Sequence, residues 1–424
     1  MQRLLLLASF AGTTLSAQAL PKVQPESQGF SSERLGRLTN YLKGAVDSAR
    51  TAGVVALIVH DGRVVYEHAV GMADREARRP MTPATLFRIA SQSKAVTSVA
   101  LMMLVEEGRV GLTDPVSRYI PEFARTTVAT VTDSGGTRAV RNVPARRQIT
   151  IRDLLTHTSG VSYGTDSIVA SQYAAAELGP NAGGGWYFTD KKDPICTYMS
   201  RLPALPFVAQ PGERWVYGYS TDILGCVIER VSGMSLADFV AKRITTPLGM
   251  RDTRFCVPAS ERDRLAVVYA LSASGLSRAQ EGPRGQGSYV DGPCAAFSGG
   301  AGLVSTAGDY ARFLTMMLGG GALNGTRLLS PTTVELMTHD HVGDLYGGPE
   351  SGFGLGFEVF MDPPRAGRYG GSGSYGWGGA YHTSYWIDPQ SKIVGVLMTQ
   401  LLPATGSVLQ DRFRTLVYQA VVRD

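Results

Sequence analysis

From residue 54 the chain reads VVALIVHDGRVVYEHAV, two runs of strand-forming apolar residues joined at Asp61-Gly62. An Asp-Gly pair between such runs supplies the positive backbone angles of a two-residue turn, so this stretch predicts a β-hairpin. Before it, Ser31 or Ser32 can cap a helix running to about Arg50. After it comes FRIASQSKAVTSVALMMLVEEG, Phe87 to Gly108. From Ala95 to Val105 nearly every residue there is apolar or small, the pattern of a helix buried on all sides. Arg109 to Pro121 reads as a loop, and ITIRDLLTHTSG, 149 to 160, as a helix closed by Gly160. Residues 163 to 210 are irregular, with GGGWYF at 183 to 188. Helical runs return in TDILGCVIERVSG, ending at Gly233, and in SLADFVAKRI. Thr306-x-x-Asp309 predicts a capping box in front of YARFLTMML. A second hairpin, TSYWIDPQSKIVGVLMTQ, and a helix from about Ser407 to Val422 close the chain.

Strands near both ends with helices between them predict an α+β fold. Residues 20–90 and 300–424 would form one antiparallel sheet flanked by helices, and residues 91–299 a mainly helical lobe. A cleft between the two is the natural place for a site, and Ser91 stands where the chain enters it.

Composition narrows the class. With 424 residues, 44% hydrophobic, 18% charged and 50 Gly, the chain is a loop-rich globular protein without the signature of disorder. The net charge of +5 comes from 34 Arg and 7 Lys that form no runs, so no nucleic-acid footprint is expected. The opening MQRLLLLASFAGTTLSAQALP has Arg3, a short apolar run and Ala17-Gln18-Ala19, the pattern of a secretory signal cleaved after Ala19. This predicts a periplasmic or secreted protein that starts at Leu20. The apolar run is too short to span a bilayer, and no later segment reaches the required length. In that compartment Cys196, Cys226, Cys256 and Cys294 allow three disulfide connectivities. Cys226, inside a helical run, fits either a disulfide or a small buried hydrophobe. None of the four has zinc-site spacing, and no metal or cofactor is expected.

Ser91-x-x-Lys94 places a hydroxyl and an amine on one helix face. Desolvation disfavours the charged form of an amine, so a lysine among Ala, Val and Leu can accept a serine proton. The other reading is a lysine snorkelling from the end of a core helix, and the motif alone leaves both open. A rival serine stands in Gly160-Val161-Ser162-Tyr163-Gly164, which matches G-x-S-x-G. That motif needs a strand before it and a helix after it, whereas here a helical pattern precedes it. His157, just upstream, is expected to satisfy backbone groups at a helix end. Trp186, Tyr187 and Phe188 form an aromatic loop that either lines the cleft or is pinned by its own rings.

Two more segments carry the reading further. PGERWVY, 211 to 217, puts Tyr217 in a turn before a helix, and Gly376-Trp377-Gly378-Gly379-Ala380 leads into the last hairpin. With S-x-x-K, and with LLTHTSG, YGYSTDILG and GGAGLVSTAGDYARF, they resemble the serine β-lactamase and penicillin-binding protein superfamily. Within it the chain is most similar to the class C-like branch that includes family VIII carboxylesterases. The resemblance implies Ser91 as nucleophile, with Lys94 and Tyr217 as its proton partners. It also implies an oxyanion hole from the backbone N–H groups of Ser91 and Ala380. Trp377, Gly378 and Gly379 would stand in the place of K-T-G as substrate-binding residues. Position 219 is Tyr where that family has Asn, so Tyr219 becomes a substrate contact and a second candidate for the catalytic tyrosine. The implied activity is hydrolysis of short-chain carboxylic esters, with a small-molecule ester or a β-lactam as the substrate partner. Hydrolysis of β-lactams, of D-amino-acid amides or peptides, and penicillin binding without turnover remain open. Trp377 brings no charge where the K-T-G lysine would meet a β-lactam carboxylate, which favours neutral esters.

Overall fold

The computed structural model describes residues 19–134, 137–179, 188–283, 285–403 and 408–423. Its first hairpin is β1 (Gly53–His60) and β2 (Arg63–Asp74), turning through Asp61 at φ 44° and Gly62 at φ 76°. The short β3 (Arg79–Pro80) pairs with β2. Five strands arrive from the other end of the chain: β4 (Ser351–Phe353), β5 (Glu358–Phe360), β6 (Ser374–Gly378), β7 (Ser384–Asp388) and β8 (Ile393–Met398). Together they make an eight-stranded sheet in the order β4-β5-β6-β7-β8-β1-β2-β3, antiparallel at every step. The first and last long strands meet at its centre, with Val55 opposite Met398 and His60 opposite Ile393.

Six helices frame the site: α1 (Ser32–Asp47), α2 (Ser93–Glu106), α3 (Ile151–Leu155), α4 (Ser220–Ser232), α5 (Ala307–Leu318) and α6 (Leu409–Tyr418). β1 is apolar throughout because both of its faces are covered. Val54, Ala56 and Ile58 pack with Leu38 and Leu42 of α1 and Phe413 of α6. Val55, Leu57 and Val59 join the larger core with α2 and α5. Alternate side chains of a strand face opposite sides, so one continuous apolar run serves two cores. α2 lies inside the larger core, with every residue from Ser93 to Leu104 buried. No helix of the described residues is long and apolar enough to cross a membrane.

Several local expectations need correction. The α3 helix stops at Leu155 rather than Gly160, because His157 takes a left-handed backbone (φ 55°) and Thr158 N–H closes back on Asp153 O. Thr306 caps α5, but Asp309 does not complete a capping box: its carboxylate accepts from Asp252 N and Thr253 Oγ1 instead. The run at 235–244 is α-helical only over Leu236–Val240 and then widens to a π-turn. Strands Thr127–Ser134 and Thr137–Pro144 form a two-stranded ribbon in a stretch where no element was expected. All four cysteines are bonded, Cys196 to Cys226 and Cys256 to Cys294, so Cys226 is a disulfide partner.

Candidate active site

Ser91 lies in a 3-10 turn, Ala90–Gln92, that feeds directly into α2. Ala90 has φ 45°, a left-handed conformation that costs a non-glycine residue about 1 kcal/mol. It is held there by burial among Val268 and Tyr381. As a first-turn residue Ser91 keeps its N–H outside the intrahelical ladder. Gly379 brings the end of β6 against this turn: a Cβ there would meet Ile89 O at 2.5 Å and Thr383 Oγ1 at 2.3 Å. Only glycine allows that approach, and it sets Ala380 beside Ser91 on one cavity wall.

Lys94 is the one charged side chain among the buried residues of α2, with 2% of its surface exposed. Its Nζ lies 2.8 Å from Gly300 O, 3.0 Å from Tyr163 OH and 3.2 Å from Ser91 Oγ. It also sits 4.6 Å from the centre of the Tyr217 ring. Gly300 O can only accept, so one amine proton is committed there. Tyr217 OH in turn accepts the indole N–H of Trp377 at 3.2 Å. Ser91, Tyr217, Trp377, Gly378, Gly379 and Ala380 all line one cavity of about 500 Å³. The structure thus brings the expected residues together, with Tyr219 as the exception.

Tyr219 is neither a substrate contact nor a second proton carrier in this arrangement. It is buried, its hydroxyl donates to Leu178 O, and its ring packs against Tyr163 and Phe188. Burial pushes its hydroxyl pKa far up, away from any role in proton transfer. Phe188 is likewise buried, against Tyr198 and Tyr219, while Trp186 and Tyr187 lie outside the described residues. Ser162 is buried in a loop, its Oγ accepting Gly164 N–H. His157 does not serve the helix end as expected. Its Nδ1 has no hydrogen-bond partner, and its ring packs among Trp215, Tyr217 and Phe353. Burial is the main cause that holds its pKa well below the ordinary value, and a positive charge on Lys94 would act the same way, so it stays neutral.

Sequence reasoning missed three site residues. Tyr163, the neighbour of the weighed Ser162, bonds to Lys94. Asp222, in the first turn of α4, is 2% exposed and accepts Ser298 Oγ–H and Gly300 N–H on Oδ1. A Cβ on Gly300 would meet Asp222 Oδ2 at 2.6 Å, so glycine is required for this approach. Burial raises the Asp222 carboxyl pKa, with Ser298 and Lys94 acting against it. Asp222 therefore holds the turn whose carbonyl holds Lys94. The third is Arg368, a cation on a cavity wall where none was foreseen. A separate cavity of about 540 Å³ contains none of the motif residues, and its arginines 79, 88, 262 and 278 each face an acidic partner.

The chain is 35% identical over 377 residues to protein Rv1367c of Mycobacterium tuberculosis, covering 85% of this chain and 89% of that one. It is 34% identical over 378 residues to esterase EstB of Burkholderia gladioli, covering 86% and 89%. Its fold matches that of EstCE1, a hydrolase with promiscuous acyltransferase activity, with a TM-score of 0.75 and 30% identity over 91% of this chain and 98% of that one. The family model described as Beta-lactamase matches residues 38–420, around the same Ser91, Lys94 and Tyr217 that the fold gathers, and the chain belongs to that family.

Proposed function

We propose that the protein is a serine hydrolase that cleaves short-chain carboxylic esters through an acyl-enzyme on Ser91. The observation that carries this reading is the 3.2 Å contact of Lys94 Nζ with Ser91 Oγ at a cavity shared with Tyr217. Lys94 gives its protons to Gly300 O and Tyr163 OH, and its remaining position faces the serine. As Ser91 Oγ bonds to the ester carbonyl carbon, its proton passes to the Lys94–Tyr217 pair. The carbonyl oxygen takes the displaced electron pair and faces the N–H groups of Ser91 and Ala380, each such donor typically contributing about 3 kcal/mol. Collapse breaks the bond to the alcohol oxygen, which leaves with a proton from Tyr217. The Trp377 N–H already fills an acceptor site on the Tyr217 oxygen, so the hydroxyl proton is the one free to move. Water then repeats the sequence in reverse and frees the acid. An alcohol taking the place of water would give acyl transfer, the side activity named for EstCE1. The two disulfides support secretion to an oxidising compartment, in keeping with the signal-like residues 1–19.

The test is turnover of p-nitrophenyl acetate, butyrate and octanoate beside a chromogenic cephalosporin, for the parent protein and Ser91→Ala. The expected result is kcat/KM highest on the shorter esters, with an acyl adduct on Ser91 by mass spectrometry and no turnover in the variant. Efficient cephalosporin hydrolysis without ester hydrolysis would assign a β-lactamase instead, and full activity in Ser91→Ala would remove the nucleophile.

A further inference from the structure

The wall of the reaction cavity beside Trp377 carries charge. Glu358, on β5, stands opposite Gly376 of β6, one residue before Trp377. Arg368, in the connection from β5 to β6, lines the same cavity. Their roles differ in what they expose. The Glu358 side chain is 18% exposed, and the Tyr346 and Ser351 hydroxyls donate to it. Burial raises its carboxyl pKa, with the charges of Arg368 and Arg414 acting against that. The Arg368 side chain is 45% exposed, and its Nη1 lies 3.8 Å from Glu358 Oε1, beyond hydrogen-bond length. Its other neighbour is the Phe360 ring, 5.5 Å away, which accepts no ordinary hydrogen bond. A guanidinium has five N–H donors in a planar fork that matches a carboxylate. Here the guanidinium stands near an acid and an aromatic face, and its residue lines the cavity that holds the candidate nucleophile.

We infer that Arg368 is a carboxylate-binding subsite, and that the substrates are esters carrying a free carboxylate, such as half-esters of dicarboxylic acids or esters of hydroxy acids. This rests on the ester-hydrolase reading above and names its substrate class. The competing occupant, a cationic ester held by Glu358 and the surrounding aromatic rings, is disfavoured because Glu358, though it lines the same cavity, already accepts from two hydroxyls and is the less exposed of the pair. Neutral p-nitrophenyl esters would then be turned over without this contact, below the rate of their anionic counterparts.

The experiment compares matched esters that differ in one charge: 4-acetoxybenzoate with its methyl ester, and mono-4-nitrophenyl adipate with 4-nitrophenyl hexanoate. The first pair puts the carboxylate on the leaving alcohol, the second on the acyl half. In Arg368→Gln the anionic-to-neutral ratio of kcat/KM should fall about tenfold or more in at least one pair, the size expected for a charge-assisted contact. Arg368→Lys should recover part of it, and added salt should lower the parent's ratio. Ratios that change less than twofold in both pairs overturn the inference, as does an acetylcholine preference that disappears in Glu358→Gln. Binding keeps this separate from catalysis. Monoethyl adipate titrated calorimetrically into Ser91→Ala and into Ser91→Ala/Arg368→Gln should bind about tenfold more tightly to the former. If the parent hydrolyses none of the four esters but that difference persists, the ester reading fails and the subsite stands. Equal binding to both proteins overturns the subsite.

Discussion

Asp222→Asn separates the charge of a buried carboxylate from its shape. The Ser298 Oγ and Gly300 N donors to Asp222 both end on Oδ1. An amide with its oxygen in that place keeps both bonds and loses only the charge. Asp222→Ala loses both, leaving two buried donors without partners at about 1–3 kcal/mol each, or about 2–6 kcal/mol in all. The effect of the charge on Lys94 can be bounded from the same geometry. The path from Asp222 Oδ1 to Gly300 N is 3.2 Å and from Gly300 O to Lys94 Nζ 2.8 Å, with one residue between. The two charges are therefore within about 10 Å, given ordinary backbone dimensions. At an effective dielectric of about 20 their attraction is at least about 1.7 kcal/mol. Lys94 becomes an ammonium as it takes the serine proton, so removing that attraction should slow acylation by at least about fifteenfold.

Stability should move the other way. Burial, its largest cause, raises the folded pKa of Asp222 above its unfolded value. The stabilising contribution of such an acid is complete below the unfolded pKa, about 3.9, and is lost as pH rises through the folded one. As pH rises the parent protein therefore loses stability that Asp222→Asn does not. The asparagine variant should be at least as stable as the parent at pH 8, with the difference shrinking toward pH 4, while Asp222→Ala is less stable throughout. Urea unfolding at both pH values and single-turnover acylation by a p-nitrophenyl ester give the two readouts. An asparagine variant as fast as the parent, or as unstable as the alanine one, would refute the reasoning.

Lys94→Ala and Tyr217→Phe should each lower kcat by orders of magnitude, and the double variant should be scarcely worse because both act on one proton; additive losses would show two separate roles. Asp309, whose carboxyl is pushed up to about 6 mainly by burial, should make the protein lose up to about 3 kcal/mol of stability as pH rises from 4 through 6, and Asp309→Asn should flatten that slope. Parallel urea midpoints for parent and variant from pH 4 to 8 would rule that assignment out.

What the sequence discloses depends on how local the cause is. Asp61-Gly62, Gly233 and the Ser31 cap act within a few residues of where they stand, and each forms the turn, helix end or cap its chemistry predicts. The ribbon at 127–144 escapes because it pairs mainly with itself. Its Thr and Arg positions are interleaved with Val on both faces, and Val131 and Val140 face each other with 40% and 46% of their surfaces exposed. Burial reaches only its base, at the adjacent Val128 and Ala129, so no apolar-polar alternation runs along it and the pattern that marks other strands is missing. The same holds for a capping box half-formed because Asp309 bonds instead to residues 252 and 253, in another part of the chain.

The site repeats that division at closer range. S-x-x-K is visible because helix geometry alone puts Ser91 and Lys94 on one face. What makes a buried lysine tolerable is not visible, since an amine taken from water must recover its hydrogen bonds. Those partners come from Tyr163 and from Gly300, segments that contain no lysine motif and are brought in by the fold. Asp222 is one step further out: it touches Lys94 only through the Gly300 turn. Trp377 shows a contact that the resemblance does not disclose. It stands on the cavity wall as the resemblance implies, but its one N–H is given to Tyr217, which leaves its ring as the part facing the cavity without a donor of its own. The charge absent at that position lies on Arg368, in a connection between two edge-side strands. A cation in the lining of this site is therefore contributed by a connection that no motif marks.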